Sequence, residues 1–179
     1  YMFALKINKE LGNKKAMSTS YNNIGSIYYR EGNYEKALKY YLISLEIDEE
    51  LNEETGMASS YNNVGLIYWA QNNSYKAQDY FQMAVTIYAH LRDKKGLAGA
   101  YSNIGGVAYY KGKPDVAVLY FQKSYDYYKE INYKQGCATA FVNISEILTE
   151  QKKYSEAMKY ALESIEIHGQ LGNKSDKTY

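Results

Sequence analysis

The sequence predicts an all-α solenoid of antiparallel helix pairs, on three observations. A phrase recurs every forty residues: YNNIGSIYY from Tyr21, YNNVGLIYW from Tyr61 and YSNIGGVAYY from Tyr101, with a degraded fourth copy, FVNISEILT, from Phe141. Self-similarity at such a period marks stacked units, each too small to bury its own apolar face. The recurring columns fall at helical spacing, and short polar breaks divide them. No segment alternates as a strand does.

The first half of each repeat carries the columns Tyr21, Tyr61, Tyr101, Phe141; Ile24, Val64, Ile104, Ile144; Gly25, Gly65, Gly105, Ser145; and Tyr28, Tyr68, Ala108, Leu148. Their offsets are those of one helical face. A glycine in mid-helix costs roughly 1 kcal/mol relative to alanine, so its recurrence predicts that a neighbouring helix approaches closely there, with Ser145 keeping most of the space. Breaks follow at Glu31-Gly32-Asn33, Gln71-Asn72-Asn73, Lys111-Gly112-Lys113 and Gln151-Lys152-Lys153. A second helix then carries Ala37, Ala77, Ala117, Ala157; Tyr40, Tyr80, Tyr120, Tyr160; Tyr41, Phe81, Phe121, Ala161; and Ser44, Ala84, Ser124, Ser164. The only proline, Pro114, falls in the first turn of one such helix, where its missing N–H costs little. Helices are predicted over 1–11, 14–31, 34–51, 54–71, 74–91, 94–111, 114–131, 134–151 and 154–170. In repeat terms, 1–11 is the second helix of a truncated repeat, 12–51, 52–91, 92–131 and 132–171 are full repeats, and 172–179 begins another. The chain thus reads as a single array excised from a longer protein.

Composition narrows the function. Twenty-one Lys and Arg against twenty Asp and Glu leave a formal charge of +1, no footprint for a phosphate backbone or an anionic membrane. No apolar run approaches the roughly 18 residues needed to cross a bilayer. Nucleic acid and direct membrane contact are therefore not expected. The cytoplasm is the favoured compartment, or the periplasm if a targeting segment was removed. His90 and His168 lie far apart near helix ends, and Cys137 aligns with Met57 and Leu97 as core filling, so no metal, cofactor or enzymatic chemistry is expected. The charge runs Asp48-Glu49-Glu50 and Glu53-Glu54, and Arg92-Asp93-Lys94-Lys95, read as solvated edges.

The order aromatic, aliphatic, Gly, Tyr, turn, Ala, aromatic, small resembles the tetratricopeptide repeat. In the copy starting at Tyr21 it runs through Ile24, Gly25, Tyr28, Gly32, Tyr34, Ala37, Tyr41 and Ser44. The forty-residue period exceeds the usual 34 of that family, and the proline that ordinarily ends its second helix is absent; the extra residues lengthen the helices, as in the long-repeat branch that includes kinesin light chain and bacterial signalling proteins. The resemblance implies a right-handed α-α superhelix that binds a protein or peptide segment on a concave face lined by the first helices. It also implies a sensor or scaffold piece of a larger regulator.

The groove-facing positions it implies are Asn22, Asn62, Ser102, Val142; Asn23, Asn63, Asn103, Asn143; Ser26, Leu66, Gly106, Glu146; and Tyr29, Trp69, Tyr109, Thr149. Asparagine offers both donor and acceptor, and can grip a backbone without reading side chains. Helices spaced roughly 8–10 Å apart, against about 3.3 Å per extended residue, would place one asparagine every three peptide residues. Asn22, Asn23, Asn62, Asn63, Asn103 and Asn143, with Tyr29, Trp69 and Tyr109 as flat contacts and Glu146 beside Glu150 for a basic side chain, form the candidate site. The alternative for the asparagines is structural: bonding to the adjacent repeat to set the stacking. The alternative for the whole chain is a spacer, or self-association through its uncapped ends.

Overall fold

A computed structural model describes residues 2–175 of the chain. Among the described residues lie nine helices and no strand: α1 (Met2–Glu10), α2 (Lys14–Arg30), α3 (Tyr34–Leu51), α4 (Glu54–Ala70), α5 (Ser74–His90), α6 (Lys94–Tyr110), α7 (Pro114–Glu130), α8 (Lys134–Glu150) and α9 (Tyr154–Ser175). Two compact units result, residues up to 93 with α1 to α5 and residues from 94 on with α6 to α9. In the first unit α1 packs on α2, α2 on α3, α3 on α4 and α4 on α5; in the second α6 packs on α7, α7 on α8 and α8 on α9.

The breaks form because each contains one residue in the left-handed region: Gly12, Gly32 and Gly112 at φ 64°, 75° and 69°, and Asn52, Asn72 and Asn132 at 52°, 60° and 54°. Glycine and asparagine adopt this conformation most readily. Arg92 and Lys152 take it too, at 54° and 61°, without that advantage. The next residue caps the following helix: Asn13, Asn33 and Asn73 accept, through Oδ1, the N–H of Ala16, Lys36 and Lys76 at 3.1, 3.2 and 3.2 Å.

The mid-helix glycines have the predicted cause. A Cβ on Gly25 would lie 2.8 Å from the Tyr41 ring, on Gly65 2.6 Å from Phe81, and on Gly105 3.0 Å from Phe121. All three rings are buried. In the fourth copy the ring is replaced by Ala161, and Ser145 stands where glycine was. Much of the tyrosine content goes into stacks beside these contacts: Tyr28 on Tyr40 at 5.5 Å, Tyr68 on Tyr80 at 5.4 Å and Tyr101 on Tyr120 at 6.0 Å. Lys36 and Lys76 sit over the Tyr28 and Tyr68 rings at 5.1 and 4.9 Å.

Two expectations are corrected. α9 does not end at residue 170 but continues to Ser175, so no break forms at Leu171-Gly172-Asn173. Gly172 and Asn173 permit a left-handed turn without enforcing one, and no further helix lies among the described residues to pack beyond α9 and hold the chain in it. Residues 176–179, part of the stretch expected to open another repeat, lie outside the described residues. The second correction is Asp48: expected on a solvated edge, it is only 3% exposed.

Candidate functional site

In the first unit the buried Ile24 turns its helix so that Asn22 and Asn23 of α2 lie half-buried beside α4. Asn63 of α4 donates through Nδ2 to Asn22 Oδ1 at 3.1 Å, and Asn22 Nδ2 donates to Ser60 Oγ at 3.3 Å. These two asparagines are thus spent in joining one repeat to the next. Asn23 has no hydrogen-bond partner among the described residues. Asn62 and Trp69 are half-buried on α4. Tyr29 is half-buried and packs against the core cluster that holds Val64 and Ile67, its ring tilted against Tyr34 at 5.7 Å, and burial raises its phenol pKa.

A cavity of about 410 Å³ opens beside Asn22 and Asn23. Lys15, Ser18 and Thr19 of α2, Ser44 and Asp48 of α3, and Thr55, Gly56 and Ser59 of α4 complete most of its wall. At its base Ser44 Oγ donates to the Ser18 carbonyl at 3.0 Å, and Ser18 Oγ donates to Asp48 Oδ1 at 2.5 Å. Asp48 Oδ2 is buried without a hydrogen-bond partner. Burial raises the Asp48 pKa above the ordinary carboxylate value, the Ser18 bond opposes this, and Glu53 adds to it. At the rim Lys15 Nζ meets Glu53 Oε1 at 2.8 Å. Gly56 makes room for the acid, since a Cβ there would collide with the Asp48 carboxylate.

In the second unit Asn103 and Asn143 occupy the same half-buried helix position as Asn23 and Asn63. Tyr109 is 40% exposed and donates to Glu150 at 2.6 Å, a bond that raises its pKa. Glu146, exposed one turn earlier, lies in the same field. The structure therefore gathers Asn22, Asn23 and Asn63 at one place and Tyr109 and Glu146 at another. Tyr29 lies half-buried against the core.

Sequence reasoning missed the Ser18–Ser44–Asp48 chain. Its signal was a double departure: Ser18 stands where Ala58, Ala98 and Ala138 stand, and Asp48 where Asn8, Tyr88, Tyr128 and His168 stand. His90 is solvent-facing as expected, its Nδ1 2.8 Å from Glu54 Oε2, and Cys137 is buried core filling whose pKa burial raises. Among the described residues no cluster of three or more His, Cys, Asp or Glu could hold a metal, and no helix is long and apolar enough to cross a membrane.

No curated protein matches this chain. Among solved structures, the crystal structure of BtubC (BKLC) from P. vanneervenii is similar, with a TM-score of 0.79 at 18% identity over 89% of this chain. The match takes in 66% of BtubC, and the likeness is one of fold. The model of the tetratricopeptide repeat matches residues 16–90 and 96–170. Those stretches take in the helix pairs, glycine–aromatic contacts and asparagine positions of both units, and the chain belongs to the tetratricopeptide repeat family.

Proposed function

We propose that the chain is an interaction module that holds an extended protein or peptide segment against its first helices, as a sensor or scaffold portion of a larger regulatory protein. Repeats of this family generally mediate protein–protein interaction and are typically not catalytic. What supports the finer reading is the first-unit cavity, walled by amide, hydroxyl and charged side chains from α2, α3 and α4, with Asn23 unpartnered at its edge. A cleft so rich in donors and acceptors suits a backbone more than an apolar small molecule. Asn22, Asn62, Asn63, Asn103 and Asn143, with Tyr29, Trp69, Tyr109 and Glu146, are assigned to the same function with different weights. Asn22 and Asn63 shape the groove by tying repeats together, while Asn23 and Asn143, which have no partner among the described residues, are the ones to contact a ligand.

The test is selection from a random library of peptides about nine residues long, some 30 Å when extended. Titration calorimetry on the peptides recovered is expected to show binding that weakens about tenfold in Asn23→Ala while Tm stays put. Recovery of no binder, or of binders indifferent to Asn23→Ala, overturns the reading.

The second reading, self-association, draws on α9, where Met158, Leu162 and Ile165 are 64%, 59% and 66% exposed, and on Phe3 of α1 at 77%. Leu45, at the place of Ile165 in the first full repeat, is only 7% exposed, beneath α4. Yet α1 and α9 are both second helices, and within each unit second helices pack on first helices. Stacking α1 on α9 would reproduce no contact the fold already uses. Sedimentation of Leu162→Glu against the unaltered chain decides: concentration-dependent size lost in the variant would favour this reading.

A further inference from the structure

We infer that Asp48 is the anionic floor of a subsite for a primary ammonium, the side chain of a lysine in the bound segment. The inference rests on the peptide-binding reading for the source of that ammonium, but its chemistry rests on the cavity alone. Asp48 is 97% buried by the complement of its 3% exposure, lines the cavity, and leaves Oδ2 without a partner. A buried carboxylate oxygen without a donor is costly, and native structures rarely leave one so without a functional reason. The fold spends residues on keeping it there: Ser18 holds its other oxygen in place, Ser44 is bonded in turn to the Ser18 carbonyl, and Gly56 gives up a side chain to admit it.

Charge points the same way. Among the cavity-lining residues two are carboxylates, Asp48 and Glu53, and one is a cation, Lys15, which leaves one negative charge uncompensated. Lys15 is already committed to Glu53 at the rim. The ligand that completes the site brings a single positive charge and at least one N–H donor.

Donor geometry separates lysine from arginine. A guanidinium recognises a carboxylate best through two parallel bonds, one to each oxygen. Here Oδ1 already accepts from Ser18, so only the buried Oδ2 is left without a donor, and a point donor fits where a fork does not. Asn23, also among the cavity-lining residues and without a partner, offers an amide oxygen as a further acceptor in the same cavity.

Two measurements test this. The first uses n-butylammonium chloride as the probe, titrated against the isotope-labelled chain and followed by amide chemical shifts. Saturable shifts at Ser18 and Gly56 are expected, absent with n-butanol and absent in Asp48→Asn, which keeps the shape and the Ser18 bond but presents a donor where Oδ2 was. Shifts that do not saturate, or that persist in Asp48→Asn, overturn the inference whatever peptides do. The second takes a recovered peptide and replaces each position in turn by lysine, norleucine or arginine. One position is expected to favour lysine about tenfold over norleucine, and the preference to vanish in Asp48→Asn. Ser18→Ala, which places there the alanine that three other repeats carry, frees Oδ1 and is expected to bring arginine level with lysine. Peptide binding that depends on Asn23 but shows no lysine preference overturns the subsite and leaves the groove standing. Loss of all peptide binding overturns the groove, and the butylammonium arm then decides the subsite separately.

Discussion

One position in the repeat is solved in opposite ways by the two units. Where α3 meets α2 and α4, Asp48 stands with Ser18 beneath it and Gly56 opposite, beside a cavity. At the matching position of the second unit, Tyr128 of α7 stands against Gly136 of α8, so close that a Cβ on that glycine would lie 2.5 Å from the ring. Tyr133 tilts onto the same ring at 5.2 Å, and burial raises the Tyr128 phenol pKa. The glycine is common to both units and the backbone plan is the same. What differs is whether the space it makes is filled by a ring or edged by a small acid, and the filled version needs no hydroxyl, which is why Ala98 suffices where Ser18 stands in the first unit. A repeat array can therefore acquire a polar site by exchanging two side chains, leaving its stacking untouched.

The largest expected effect comes from forcing the second unit to imitate the first. Tyr128→Asp removes a packed ring and leaves a carboxylate with no hydroxyl donor at the Ala98 position, and should lower unfolding free energy in urea by about 3–5 kcal/mol. Adding Ala98→Ser should return about 1 kcal/mol by supplying the missing bond. If the single change costs less than about 1 kcal/mol, the ring does not hold the helices in the way described. The opposite transplant, Ser18→Ala with Asp48→Tyr, fills the first-unit cavity using the room Gly56 already provides. It should raise stability by about 1–2 kcal/mol and abolish butylammonium and peptide binding together. A stable variant that still binds would place the site elsewhere.

How much of this was legible without coordinates follows the same division. Helices α1 to α8 end within a residue of prediction because glycine or asparagine marks most breaks by local geometry, and the forty-residue period places the two breaks where Arg92 and Lys152 stand instead. The glycine–aromatic contacts were legible as columns, down to the paired exchange of Ser145 with Ala161. Asn63 and Asn22 could be read as ligand contacts or as stacking bonds, and only their 3.1 Å separation favours the second. Asp48 was illegible for a physical reason. It opens an acidic run whose next two members, Glu49 and Glu50, are exposed, and one residue's step along a helix turns a side chain by about 100° from solvent to core. Periodicity finds what every repeat shares, and a site built by departing from the shared residues is invisible to it.

pH probes the same acid with a smaller effect. Because the folded Asp48 pKa lies above the unfolded value, the folded state binds its proton more tightly. The group therefore favours folding below the unfolded pKa of about 4, and that advantage is lost as pH rises toward the folded value. Asp48→Asn has no such proton to lose. Its Tm should match that of the unaltered chain near the low end of this window and exceed it increasingly on the way to neutrality. A gap that narrows with rising pH would mean that Asp48 is held by a favourable partner rather than buried without one.

The smallest effect should come from the rim. Lys15 and Glu53 form an exposed pair, and such pairs are worth about 0–1 kcal/mol, so Lys15→Met should move stability by less than about 0.5 kcal/mol. Its influence on binding is of the other sign and larger in proportion, since removing the only cation among the cavity-lining residues leaves Asp48 and Glu53 both uncompensated. Butylammonium should then bind about two- to fivefold more tightly at low salt, with the gain fading as ionic strength shortens the Debye length. Glu53→Gln should do the reverse, because it frees Lys15 to compete for the carboxylate beneath it. A Lys15→Met variant that binds the ammonium less well would show that the lysine helps to build the cavity, and the charge argument that sets the first unit apart from the second would fail at that point.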